Sequence, residues 1–222
     1  MSGSGLTVDG GSAAVVLFAI AIALATIAVG AWVAVSAYNG YRRSGDRSTW
    51  FLAVGIALAA AVHASLRVVL STAGASLFLV NTVAVAVQFT GLVFVLYAVY
   101  GNPGRRTTRV MAGAAAGGAL VFLVPVALVR ADALAPLAAA TVANGVTAGL
   151  GLFVAAQAFR GYQRYDRRPM LLFSVGIGLL TVGSFAVLNV PAAWASDALR
   201  IGSVLTVEFA GLLSIAASLR TE

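Results

Sequence analysis

Residues 30–59 read GAWVAVSAYNGYRRSGDRSTWFLAVGIALA, and residues 151–180 read GLFVAAQAFRGYQRYDRRPMLLFSVGIGLL. Shifted by 121 positions the two stretches align without a gap, and 12 of the 30 pairs are identical. The identities include Gly30 with Gly151, Gly40 with Gly161, Tyr41 with Tyr162, Arg43 with Arg164, Arg47 with Arg168 and Gly55 with Gly176. Alanine and valine richness produces some matches by chance, but not glycine, tyrosine and arginine in one register. With a shift of 120, QFTGL at 88–92 also meets EFAGL at 208–212. The pattern predicts a duplicated unit in which an arginine-bearing segment separates two apolar runs.

Those apolar runs set the class. The 222 residues are 61% hydrophobic and 9% charged, with a mean hydropathy of +0.99, which places the chain among integral membrane proteins. There is no cysteine, so disulfides, thiolate metal sites and cysteine nucleophiles are excluded. A net charge of +7 would suggest nucleic acid in a soluble protein. Here every basic residue is arginine and most lie between apolar segments, where charge sets membrane orientation, and no nucleic-acid partner is expected. The opening MSGSGLTVDGGS has an aspartate and no basic residue, so the first apolar run reads as a retained helix rather than a secretory signal.

Seven segments are long enough to cross a bilayer, which takes roughly 20 residues of helix: 13–38, 50–71, 76–99, 109–130, 134–158, 169–190 and 199–219. Pro136 and Pro169 suit first helical turns, where their missing N–H is not needed; Pro125 falls inside the fourth segment and is expected to kink it. Arg42, Arg43 and Arg47, then Arg105, Arg106 and Arg109, then Arg160, Arg164, Arg167 and Arg168, with Arg220, fall on one side of the membrane. Arg67, Arg130 and Arg200 fall towards the other. The arginine-rich side is expected to be cytoplasmic, with the N-terminus outside and the C-terminus inside.

Three helices reverse the direction of the chain, so a second copy in the same orientation needs an odd number of crossings between the copies. The fourth segment, MAGAAAGGALVFLVPVALV, has no counterpart and supplies that crossing. The expected fold is an all-α integral membrane protein with seven transmembrane helices in a 3+1+3 parallel repeat. A tail at 1–12 precedes a first repeat at 13–100, a linker with the fourth helix at 101–133, and a second repeat at 134–222. This layout is similar in architecture to SWEET-type transporters and to microbial rhodopsins, and architecture does not give function.

The repeated unit itself, a helix ending in aromatic-x-Gly-Tyr-x-Arg, an arginine-rich turn and a helix with Val-Gly-Ile-x-Leu, resembles an uncharacterised family of small three-helix membrane proteins of halophilic archaea. The resemblance covers both repeats and implies an archaeal cell membrane, without implying a substrate. The rhodopsin likeness stops at the helix count: retinal is held by a lysine Schiff base, and the chain has no lysine.

Ionisable or amide side chains inside an apolar helix are costly and are candidate functional groups. Glu208 lies about ten residues into the seventh helix, roughly 15 Å deep and near the midplane. His63 lies on the second helix, with Arg67 one turn further out and expected to act as an interfacial anchor. Asn81 and Gln88 share one face of the third helix, Gln88 corresponds to Glu208 in the other repeat, and Asn144 lies at middle depth on the fifth helix. These residues form either a polar cluster lining a ligand pocket or proton-linked path, or interhelical hydrogen bonds worth about 1 kcal/mol each. The repeated glycines, Gly30 with Gly151, Gly55 with Gly176 and Gly91 with Gly211, suit close helix packing. A close contact of the third and seventh helices at Gly91 and Gly211 would favour a scaffold.

One histidine, no cysteine and no helix with two acids leave no catalytic set, no paired haem ligands and no metal site, and no phosphate-binding glycine loop is present. No cofactor is expected. The sequence favours a non-catalytic sensory or partner-binding module of the cell membrane. The alternative is a small-solute or proton-linked transporter or channel with its site near Glu208. Arg42, Arg43, Arg47, Arg164, Arg167 and Arg168 are expected to meet anionic lipid headgroups or a cytoplasmic protein partner, and further oligomerisation is open.

Overall fold

The computed structural model describes residues 13–100, 107–191 and 197–220; the expected tail at 1–12, Arg105 and Arg106 lie outside them. The described residues form helices joined by short turns, with no strand. Among them, seven helices are long and apolar enough to cross a membrane. They are α1 (Ala13–Ser44), α2 (Arg47–Thr72), α3 (Leu77–Tyr100), α4 (Thr107–Arg130), α5 (Pro136–Tyr165), α6 (Arg168–Leu188) and α7 (Asp197–Ser218). Leu17, Leu77, Leu137 and Leu199 are all more than half exposed, as lipid-facing side chains are.

Two helix ends differ from the sequence expectation. α1 continues through Tyr38–Ser44 and α5 through Phe159–Tyr165, so the arginine motifs form the last helical turns and not a loop. Cationic side chains there complement the negative end of the helix dipole. The turns themselves are short. Gly45 takes a positive φ of 67° and its counterpart Asp166 one of 48°, the left-handed geometry with which helices commonly end. Asp46 then caps α2, its Oδ1 accepting from the Ser48 amide at 3.0 Å, a contact that satisfies an otherwise orphaned donor.

Each helix is placed by its neighbours. α1 packs on α2, α2 on α3, α3 on α5, α5 on α6, α6 on α7 and α7 back on α1. Six helices thus close a ring, and α4 leans on it from outside against α3 and α5. Pro125 sits within an unbroken α4.

Several residues paired by the sequence shift make equivalent contacts. A Cβ on Gly55 would lie 2.8 Å from the Gly91 carbonyl oxygen, and one on Gly176 would lie 2.7 Å from that of Gly211. The repeated glycines therefore join α2 to α3 and α6 to α7, and Gly91 packs on α2 rather than α7. Ring pairs Tyr38/Tyr41 and Phe159/Tyr162 sit with centroids 6.0 and 6.1 Å apart. α2 and α6 both relax into a π-helical turn, at Ala57–Val62 and Leu179–Gly183. Such turns are rare and weaken local hydrogen bonding.

In the half of the ring nearer the arginines, all six helices contribute to one apolar layer. Val33, Ile56 and Val95 meet their counterparts Val154, Ile177 and Ile215, each at most 2% exposed. Branched side chains packed this closely leave no polar passage.

Candidate functional site

Beyond that apolar layer, away from the arginine-rich end, the ring encloses a polar cavity of about 50 Å³. By volume it takes a few waters or one very small solute. His63, Arg67, Asn81, Gln88, Asn144 and Glu208 all line it. The structure thus brings together the polar residues that the sequence placed on four separate helices.

Arg67 departs from its expected place. It does not anchor at the interface alone: its Nη1 donates to Glu208 Oε1 at 3.0 Å, tying α2 to α7. The Glu208 side chain is 6% exposed and that of Arg67 33%, so the carboxylate is enclosed while the guanidinium reaches the cavity mouth. A carboxylate at this depth is costly without a cation, and Arg67 supplies one.

His63 is buried, and its Nδ1 lies 2.9 Å from the Ala84 carbonyl oxygen on α3. A carbonyl only accepts, so Nδ1 carries the hydrogen and Nε2 of the neutral ring offers a lone pair. Among the described residues Nε2 has no partner, and neither does the buried Asn81 Nδ2, a donor. Buried polar atoms of this kind call for a partner. Gln88 Nε2 donates to the Leu180 carbonyl oxygen at 3.4 Å, in the π-helical turn of α6, while Asn144 Nδ2 donates within its own helix to Ala140.

Thr147, Thr181 and Ser184 complete the polar lining; nothing in the sequence marks them, because hydroxyl residues are common on membrane helices. Each donates to a carbonyl of its own helix. Ser184 is the counterpart of His63 and Leu188 of Arg67. The matched frame therefore carries an asymmetric polar set, with the imidazole and guanidinium on α2 alone and the carboxylate on α7 alone. Among the described residues no group of three His, Cys, Asp or Glu side chains is placed to hold a metal ion.

The second half of this frame is similar to a known family. Residues 140–220 match the model of DUF7521, a family of unknown function. The DUF7521 match spans most of α5 and all of α6 and α7, a single three-helix unit, and includes Asn144, Thr181, Ser184 and Glu208 from the cavity. No curated protein and no solved structure matches the chain. The chain is a multi-pass membrane protein by its seven helices.

Of the arginines read from the sequence, Arg42, Arg43, Arg47, Arg164, Arg167 and Arg168 are all exposed at one end of the ring. None lines the cavity.

Proposed function

We propose that this chain is a non-catalytic receptor module of the cell membrane, which takes a small neutral polar ligand into the central cavity and passes the change to its arginine-rich end. The observation that carries the reading is the pairing of unpartnered His63 Nε2 and Asn81 Nδ2 with the Arg67–Glu208 bridge in one cavity. A lone pair and an N–H donor lining one cavity suit a ligand with both a donor and an acceptor, such as a small amide or alcohol. Because the bridge already neutralises the only carboxylate in the site, a net charge on the ligand would gain little.

A route from the cavity to the far end is available. His63 directly follows the π-helical turn of α2, and Gln88 is bonded to the π-helical turn of α6. A π turn closes its hydrogen bonds one residue wider than an α turn and so can shift register locally. Ligand contacts that favour one register would move the Arg47 and Arg168 ends of α2 and α6. In this reading the arginines face the cytoplasm, as the charge bias suggests, and meet anionic headgroups or a protein partner there. The matched contacts of the two halves, and a family match that covers one three-helix unit, support a 3+1+3 duplication of a small membrane protein of the kind found in halophilic archaea.

A second reading, a small-solute transporter, is favoured by one observation: the cavity lies between two matched halves, where parallel-repeat transporters bind. One experiment separates the two. The protein is reconstituted in liposomes with a fluorophore on Ser44→Cys and exposed to formamide, acetamide, urea and glycerol. A saturable fluorescence change that Glu208→Gln abolishes, with no solute flux, supports the receptor. Flux of the responding solute moves the assignment to transport, and no saturable response to any of the four removes the ligand class proposed.

A further inference from the structure

A second concavity has a different character. Between α1 and α7, on the outside of the ring, a groove of about 400 Å³ is floored by Ala28, Val29, Ala216 and Ala217 and closed at its outer end by Trp32 and Arg220. It arises where small side chains of two neighbouring helices leave the surface low. The matching groove of the other half, between α3 and α5, is where α4 leans. Of these two matched grooves, the one between α1 and α7 has no covering helix among the described residues.

We propose that this groove binds one anionic glycerophospholipid of the surrounding leaflet, with its phosphate on Arg220 and an acyl chain along the alanine floor. Arg220 is exposed, its guanidinium carbon lies 4.7 Å above the centre of the Trp32 ring, and it pairs with no carboxylate among the described residues. The ring holds the charge at the groove mouth by cation–π attraction while leaving its N–H donors free for a phosphate. Arg220 lies just past the end of α7, on the arginine-rich side, and meets Trp32 of α1 from there; basic recesses between helices on that side suit anionic headgroups.

The length of the groove decides against a helix as occupant. It runs only from Leu213 to Arg220 on α7 and from Ala28 to Trp32 on α1, about 10 Å along the axis at 1.5 Å per residue. A docked membrane helix would need a track of about 30 Å. An apolar slot of two helical turns that ends in one cation has the shape of a headgroup with the upper part of its chain.

The test uses the full chain in a neutral detergent, with phosphatidylglycerol or phosphatidylcholine of identical acyl chains, bound lipid being counted by native mass spectrometry. Phosphatidylglycerol is expected to bind about fivefold more tightly, the effect of one arginine near an anionic surface. Arg220→Gln, at an exposed site, should bring the ratio to about one. Ala217→Leu, which fills the floor and keeps the charge, should lower occupancy by both lipids, and Arg130→Gln, exposed at the opposite end of the ring, should change neither result. Equal binding of the two lipids by the unaltered chain, or a preference that survives Arg220→Gln and Ala217→Leu, would overturn the proposal. So would a dimer that Ala217→Leu dissociates, since the groove would then be an interface between copies.

Discussion

Arg67 and Glu208, 141 positions apart in sequence, meet at 3.0 Å across the interior of the ring and join α2 to α7. Because the two helices are not ring neighbours, this bridge ties the ring through its centre, as does the Gln88–Leu180 hydrogen bond between α3 and α6. Replacing Arg67 with Met leaves the enclosed carboxylate without a cation and should lower stability by about 2–4 kcal/mol, towards the lower part of the range for buried pairs because Arg67 is partly exposed. Combining Arg67→Met with Glu208→Leu removes both charges and should restore most of that loss. Thermal unfolding of the three variants in detergent measures the effect, and a double variant no better than Arg67→Met would contradict this account of the pair.

The glycine contacts predict a position-dependent response. Gly176→Ala would place a Cβ 2.5 Å from Ile215 Cγ1 and 2.7 Å from the Gly211 carbonyl oxygen, so α6 and α7 must part. A loss of about 1–3 kcal/mol is expected, as for other overpacked sites. Gly149→Ala on α5 meets nothing within 4 Å and should be neutral or stabilising by up to about 1 kcal/mol. Melting temperatures that do not differ between the two variants would refute the close packing described.

The two turns at the arginine-rich end predict changes of opposite sign. Gly45→Ala must hold a φ of 67° and should cost about 1 kcal/mol. Asp166→Gly relieves a φ of 48° and should be neutral or stabilising by up to about 1 kcal/mol, partly offset by the greater freedom of glycine in the unfolded chain. Unfolding of both variants in the same detergent gives the comparison, and a stabilising Gly45→Ala would show that the turn is not left-handed.

The seven spans were legible because length and apolarity alone mark a membrane helix. The polar residues of the cavity stood out for a related reason: His63, Gln88, Asn81, Asn144 and Glu208 interrupt helices that have few other polar groups. The ends of α1 and α5 were misread because Tyr38–Arg43 and Phe159–Arg164 carry the polarity of a loop, whereas a helix keeps its hydrogen bonds as it passes into the headgroup region. The π-helical turns ALAAAV and LLTVG have no distinguishing residue. The direction of Arg67 was also hidden, since a long cation near a helix end can reach outward to headgroups or inward to an acid, and only the position of α7 decides between them.

Everything proposed for the cavity rests on its being open at the end away from the arginines and shut by the layer of Val33, Ile56, Val95 and their counterparts. Because the chain has no cysteine of its own, a single Ser184→Cys in the cavity wall gives a clean probe. The measurement is its rate of modification in sealed, oriented liposomes by a small membrane-impermeant thiosulfonate added to one face at a time. The account predicts reaction only from the face opposite the arginine-rich end, with Val95→Cys in the apolar layer unreactive from either face. Modification of Ser184→Cys from the arginine-rich face, or from neither face, would contradict it.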